Sequence, residues 1–220
     1  MGYHRAGFEV VGVDIEVQLS YPFFFAQMDA LDALRDLIEG ARWSDDNGFD
    51  AIHASPPCQA FTVYGNNRNH VKQDHPDLIE ATRSLLKATS LPYVIENVPK
   101  APLIDPVQIC GTAFDGEYFD ALEVRRHRLF EANWPIEGKA CNHERLTERK
   151  YPGSSNRPNG RTVCNVGEWR VPLEMQQSAM GIDWMTVPEL SQAIPPSYTH
   201  FIGNQLRYYL YLGEAHLEVS

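Results

Sequence analysis

Hydrophobic positions along this 220-residue chain recur with two rhythms, the alternation of a strand and the three-to-four spacing of a helix. Glu9-Val10-Val11-Gly12-Val13-Asp14 is a β-branched run that predicts a buried strand ending in an acid. The residues before it, Met1 to Ala6, read as the tail of a helix capped by Gly7. Leu31, Leu34, Leu37 and Ile38 follow a helical period that stops at Gly40. A strand is expected over Asp50 to Ser55, followed by a polar loop through Gly65-Asn66-Asn67-Arg68-Asn69. Pro76 opens a helix with Leu78, Ile79, Leu85 and Leu86 on one side, and Pro92-Tyr93-Val94-Ile95-Glu96 predicts another strand ending in an acid. Arg125 to Phe130 enters a further strand, with Arg126 and Arg128 on one face. Periodicity breaks down from about Glu131 to Val171, and helical spacing returns over Met175 to Met180 and Ile202 to Leu212. Strands alternating with helices imply βαβ units, hence an α/β fold with a mainly parallel sheet.

Composition narrows the class without changing that picture. With 43% apolar residues the chain can bury a core, which excludes disorder. The longest apolar stretch, Tyr21 to Met28, is too short to span a bilayer and contains Pro22 and Gln27, so no membrane partner is expected. The N-terminal residues show no signal-peptide pattern, and Cys58, Cys110, Cys141 and Cys164 form no tight framework. Reduced thiols in the cytoplasm are the expectation. Net charge is −10, yet residues 125–170 hold ten Lys/Arg against five acids, a local excess of +5 that leaves −15 to the remainder. A basic segment on an acidic body is a footprint for a polyanion, although an ordinary mixed surface looks similar.

The chemistry concentrates at strand ends, where α/β sheets bind ligands. The apolar run Asp50-Ala51-Ile52-His53-Ala54 passes directly into Ser55-Pro56-Pro57-Cys58-Gln59. Each proline fixes its φ and removes a backbone donor, so the thiol is delivered on a stiff loop. Glu96 ends a later strand, and Arg126 and Arg128 follow. A thiolate, a carboxyl and guanidiniums around one pocket suit nucleophilic attack on a polarised heterocycle. Taken singly, each also reads as structure: a loop cysteine, a strand-end acid, surface arginines. Cys141, His143 and Cys164 could supply three zinc ligands, but Cys-x-His is a poor spacing beside the usual Cys-x2-Cys knuckle.

In chain order, Pro56-Pro57-Cys58-Gln59, Glu96-Asn97-Val98, Arg126-His127-Arg128 and Ile202-Gly203-Asn204-Gln205 together resemble the DNA (cytosine-5) methyltransferases of bacterial or phage type. The resemblance implies a Rossmann-like, S-adenosylmethionine-dependent fold. Its catalytic domain would comprise residues 1–130 plus 172–220, with a short target-recognition region at 131–171 that coincides with the basic segment. It also implies that Cys58 adds to carbon 6 of a flipped-out cytosine and that Glu96 binds ring nitrogen 3 and the exocyclic amine. Arg128, with Arg126 in support, would hold the ring carbonyl. Asp14 would grip the ribose of S-adenosyl-L-methionine, Ile15 would pack on its adenine and Asp29 would meet the adenine amine, with Ala30, Pro56 and Asn204 completing the cofactor residues. The polar loop after Thr62 corresponds to the one that closes over the extruded base. Double-stranded DNA is the implied partner, and a monomer the expected state.

Some positions depart from the pattern. The family begins with an apolar strand and a Phe-x-Gly-x-Gly-Gly loop that cradles the cofactor, and Met1 to Gly7 resembles only the end of the helix that follows them. Val124 stands where a Gln often precedes Arg-x-Arg, and Gly203-Asn204-Gln205-Leu206 lacks the small residue that usually follows the Asn. A start codon placed downstream or a truncated copy is the expected origin, with a DNA-binding remnant without catalysis as the alternative activity. The 220-residue chain is therefore expected to bind S-adenosylmethionine weakly or not at all. Titration calorimetry of the purified chain tests this, and micromolar binding is the result that overturns it.

Overall fold

The computed structural model describes residues 1–40, 48–61, 77–114, 122–143, 154–156 and 162–217. The chain divides into two compact units. One comprises Met1–Val10, Ile109–His127 and Gly138–Tyr211; the other comprises Val11–Gln108, Arg128–Glu137 and Leu212–Ser220.

The second of these units begins with β1 (Val11–Asp14) and β2 (Phe24–Gln27), paired in parallel with Asp14 opposite Gln27. The β2 segment is the apolar stretch around Phe24, in which Pro22 and the run of aromatics hide the strand alternation. Helix α2 (Ala30–Ile38) starts at Asp29, whose side chain accepts from the backbone N–H groups of Leu31 and Asp32, and it buries Ala33 and Leu34. The chain then forms β3 (Ile52–Ala54), α3 (Ile79–Ala88) and β4 (Tyr93–Asn97). Helix α3 buries Ile79, Thr82, Arg83 and Leu86, one face at helical spacing. It begins at Ile79, and Pro76, expected to open it, lies outside the described residues, as does the polar loop over 65–69. Leu34 of α2, Leu86 of α3, and Tyr93 and Ile95 of β4 form one core cluster.

Every residue of β4 is buried. It lies at the middle of a four-stranded sheet ordered β3-β4-β7-β5, where β5 is Val107–Cys110 and β7 is His127–Ala132. The β3–β4 pair is parallel, as the sequence predicts, whereas β4–β7 is antiparallel. At the back of this sheet a buried ion pair clamps α3 to β7. Arg83 Nε and Nη2 donate to the two oxygens of Glu131 at 2.7 and 2.8 Å. The same guanidinium donates to the Pro102 carbonyl, and Ile104 N donates to Glu131. Such a fork satisfies both charges at once.

The first unit holds α1 (Gly2–Arg5), β6 (Leu122–Val124), β8 (Ser154–Asn156), β9 (Thr162–Cys164), α4 (Leu173–Met180), α5 (Val187–Gln192) and, up to Tyr211, α6 (Pro196–Leu217). A three-stranded sheet ordered β6-β9-β8 has a parallel β6–β9 pair and an antiparallel β8–β9 pair. Its core is Val124, Cys164, Val171, Ala179, Met180, Ile182 and Leu190. The stretch from 131 to 171, expected to be irregular, thus contains the end of β7 and two short strands. Gln176, fully buried, organises the turn ahead of α4 by accepting from Gly167 N and donating to the carbonyls of Glu168 and Val171.

Replacing Arg83 with Met leaves Glu131 charged and unpaired in the core, and the expected loss is about 3–5 kcal/mol. Chemical denaturation of Arg83→Met, Glu131→Leu and the double variant checks this. The double variant is expected to recover most of the loss.

Candidate active site

Cys58 owes its position to two strands. In the parallel β3–β4 pair Ala54 stands opposite Ile95, so the chain enters Ser55-Pro56-Pro57-Cys58 where β4 reaches Glu96 and Asn97. The Pro56 carbonyl accepts a hydrogen bond from Asn97 Nδ2 at 2.9 Å, and both residues are buried. Asn97 Oδ1 in turn accepts from Val98 N. One amide side chain therefore joins the Cys58 loop to the strand carrying Glu96. Beyond Cys58 the backbone tightens into a 3₁₀ turn over Gln59–Phe61, with Phe61 N donating to the Cys58 carbonyl at 2.9 Å. The thiol itself is half-buried.

Glu96 is buried and ion-paired with Arg128, Nε to Oε1 at 2.8 Å. A carboxylate removed from water needs such a partner. The antiparallel β4–β7 register puts Glu96 opposite Phe130, which makes Arg128 its diagonal neighbour on the same face. His53 of β3 lies against the Phe130 ring with centroids 6.4 Å apart and has Nε2 3.2 Å from Ser55 Oγ. Loss of hydration lowers its pKa to about 4, so its imidazole stays neutral near pH 7.

Arg126 and Arg128 do not share a strand face, because β6 ends at Val124 and β7 begins at His127. Arg126 falls in the other unit, where its guanidinium donates to the carbonyls of Leu190, Val166, Ser191 and Ala193. Tyr198 donates its hydroxyl to the Arg126 carbonyl. Arg126 thus organises α5 and the start of α6, and Arg128 is the guanidinium found on Glu96.

Among the expected cofactor residues, Asp14 ends β1 and accepts from Glu16 N at 2.9 Å and Gln18 Nε2 at 3.2 Å. Ile15 beside it is 65% exposed, an apolar side chain that a flat ring could cover. Asp29 and Ala30 occupy the exposed start of α2, with the Asp29 carboxylate acting as the helix cap. A strand-end carboxylate next to an exposed aliphatic group is a donor set that fits a ribose and an adenine. Asn204 is exposed on α6 in the other unit. Its neighbour Gly203 is there for packing: a Cβ at that position would lie 2.8 Å from Ala6 Cβ, so glycine lets α6 approach α1.

The zinc ligand set read from the sequence is corrected. Cys164 is 1% exposed inside the β9–α4 core, and burial pushes its thiol up to about 11. Cys141 and His143 gather instead with Cys110 and His127. Of the basic residues at 125–170, Arg145, Arg149, Lys150, Arg157 and Arg161 lie outside the described residues.

No protein-family model matches the chain, and no curated protein sequence does. Among solved structures it is similar to a crystal structure of a mutant Spodoptera frugiperda DNMT2, at 12% identity and a TM-score of 0.46. That match covers 97% of this chain and 95% of the other. A likeness this distant leaves the chemistry to be argued from the side chains. No helix among the described residues is long and apolar enough to cross a membrane.

His53 gives the site a pH signature. Its folded pKa, about 4, lies below the ordinary 6.5, so between these values the unfolded chain binds the proton and the folded chain does not. Its contribution is fully present above about pH 6.5 and is lost as pH falls toward 4, a change on the order of 1–3 kcal/mol. Urea midpoints for the wild type and His53→Gln at pH 7 and pH 5 check this; the variant is expected to lose less stability on acidification.

Proposed function

We propose that this chain is a DNA (cytosine-5-)-methyltransferase in which Cys58 is the nucleophile. The observation that carries the reading is the hydrogen bond from Asn97 to Pro56, which ties the cysteine loop to the strand end where Glu96 meets Arg128. Carbon 5 of cytosine is too weakly nucleophilic to take a methyl group unaided. The Cys58 sulfur adds to carbon 6, the 5,6 double bond opens, and electron density moves to carbon 5. For this step Glu96 carries a proton: its O–H donates to ring nitrogen 3 as negative charge develops there and its other oxygen accepts from the exocyclic amine, while Arg128 holds the ring carbonyl. Bound S-adenosylmethionine supplies the methyl group to carbon 5. Transfer of the carbon 5 proton to water then restores the double bond and expels the Cys58 thiolate.

Asp14, Ile15, Asp29 and Ala30 would hold the cofactor, with Pro56 contributing. Arg126 supports by fixing backbone carbonyls in its own unit. Double-stranded DNA is the partner, and the target base must leave the stack because carbon 6 is inaccessible inside a duplex. In this reading residues 131–171 serve as target-recognition region, and the excess of +5 over residues 125–170 favours phosphate.

A duplex carrying 5-azacytosine tests the nucleophile separately from the methyl donor, because the ring nitrogen at position 5 makes carbon 6 more electrophilic. Wild-type protein is expected to form a complex that survives denaturation and Cys58→Ala to form none. An adduct retained by Cys58→Ala rejects the mechanism. On the same azacytosine duplex, where no methyl donor is needed, Glu96→Gln is expected to slow adduct formation by about 10²-fold or more.

A further inference from the structure

We infer that Cys110, His127, Cys141 and His143 form a structural zinc site. One ligand atom from each residue lies within 4.8 Å of all the others. Cys110 Sγ is 3.4 Å from His143 Nε2, and Cys141 Sγ is 3.5 Å from His127 Nε2. A tetrahedral zinc with bonds of about 2.3 Å to sulfur and about 2.0–2.1 Å to nitrogen sets its ligand atoms roughly 3.3–3.8 Å apart. The two measured separations already fall in that range, and the remaining ones need small side-chain adjustments. The two imidazole rings meet edge to face with centroids 4.8 Å apart, an arrangement in which both can aim a nitrogen at one point.

The four residues come from three separate places in the chain. Cys110 ends β5, His127 begins β7, and Cys141 and His143 lie on the segment after Gly138. Two packing features bring them together. A Cβ on Gly111 would stand 2.1 Å from the Val124 carbonyl oxygen, so only glycine lets the chain after Cys110 pass so close to the chain before His127. Thr112 then links the turn to the third segment: its hydroxyl donates to Cys110 Sγ at 3.3 Å and accepts from Asn142 N at 3.3 Å. Asn142 is the residue between the two ligands. A hydroxyl aimed at a ligand sulfur is the outer-shell contact that orients a metal thiolate.

Two thiolates and two imidazoles complete a tetrahedral shell and leave no open position for substrate, the pattern of a structural site. Softness and geometry favour zinc over magnesium or calcium. Binding would form two Zn–S and two Zn–N bonds and release the thiol protons to solvent, without any change of oxidation state. Described cysteines outside the cluster are excluded by position: Cys164 is in the apolar core, and Cys58 belongs to the other unit.

Elemental analysis of the purified chain, expressed with zinc and freed of affinity tags, is expected to find about one zinc per chain. Cys58→Ser is expected to keep it. His143 is exposed, so His143→Ala should fold, and it is expected to lose the metal to a chelator that the wild type withstands. Thr112→Val keeps all four ligands and is expected to weaken zinc binding by about 10- to 100-fold. A cobalt-loaded sample should show the visible bands of a tetrahedral site with thiolate charge transfer, reduced in Cys141→Ser. Absence of zinc from the wild type, or an unchanged zinc content and affinity in His143→Ala and Cys141→Ser, overturns the assignment.

Discussion

The pairing of β3 with β4 is the constraint on which the candidate active site depends. Its register sets Ala54 beside Ile95, and everything that follows on either strand inherits that alignment. A slip of one residue would reverse the faces of Glu96 and Asn97 and withdraw the amide from the Pro56 carbonyl. The hydrogen bond itself contributes about 1 kcal/mol net, whereas a buried carbonyl left unpaired costs about 1–3 kcal/mol. Its value is therefore mainly geometric. Two prolines stiffen the loop locally, and Asn97 fixes where the stiff loop begins.

The same sheet carries two buried carboxylate–guanidinium pairs, and alternation along the strands separates their roles. Ile95 packs with Leu86 of α3, and Glu131 stands opposite Ile95, so Glu131 belongs to the helix-covered face and meets Arg83 there. Glu96 is the next residue along β4 and points to the other face, where Arg128 reaches it. Arg83 is 3% exposed and is engaged by Glu131, Glu80 and the Pro102 carbonyl, which makes it a clamp. Arg128 and Glu96 stand at the strand end beside the cysteine loop. Similar ion-pair chemistry thus serves packing on one face and lies in the candidate site on the other.

Much of this was legible in the sequence because it is local. The strand ending at Ala54, the helix over Ile79–Ala88 and the strand through Ile95 follow apolar periodicity closely, and Cys58 and Glu96 lie at the ends of two of them. Long-range pairing was less legible. Period two put Arg126 and Arg128 on one face, but a break between Val124 and His127 sends one guanidinium to a cage of carbonyls and the other to Glu96. Strand β2 is hidden by aromatics and Pro22, and β5, β6 and α5 are too short for a periodic signal. Cys110 and His127 showed no ligand spacing to Cys141 because strand ends, rather than a local knuckle, bring them together.

That last point bears on how residues 138–143 are held at all. One apolar cluster of their unit is built from Val124, Cys164 and the helices after Val171. In the segment itself Lys139 places its ammonium 4.7 Å from the centroid of the Phe114 ring, itself stacked on Tyr198, and Asn142 N donates to Thr112. A cation over a ring and one neutral hydrogen bond are each worth about 1 kcal/mol, comparable to the backbone entropy of fixing a single residue. A metal bound by Cys141 and His143 from this segment, and by Cys110 and His127 from the sheet, would tie the two together in one step, because the binding free energy of a structural zinc is also folding free energy. The Cys/His cluster thus adds a long-range tie to the segment's other contacts, with one ligand atom from each residue within 4.8 Å of the others.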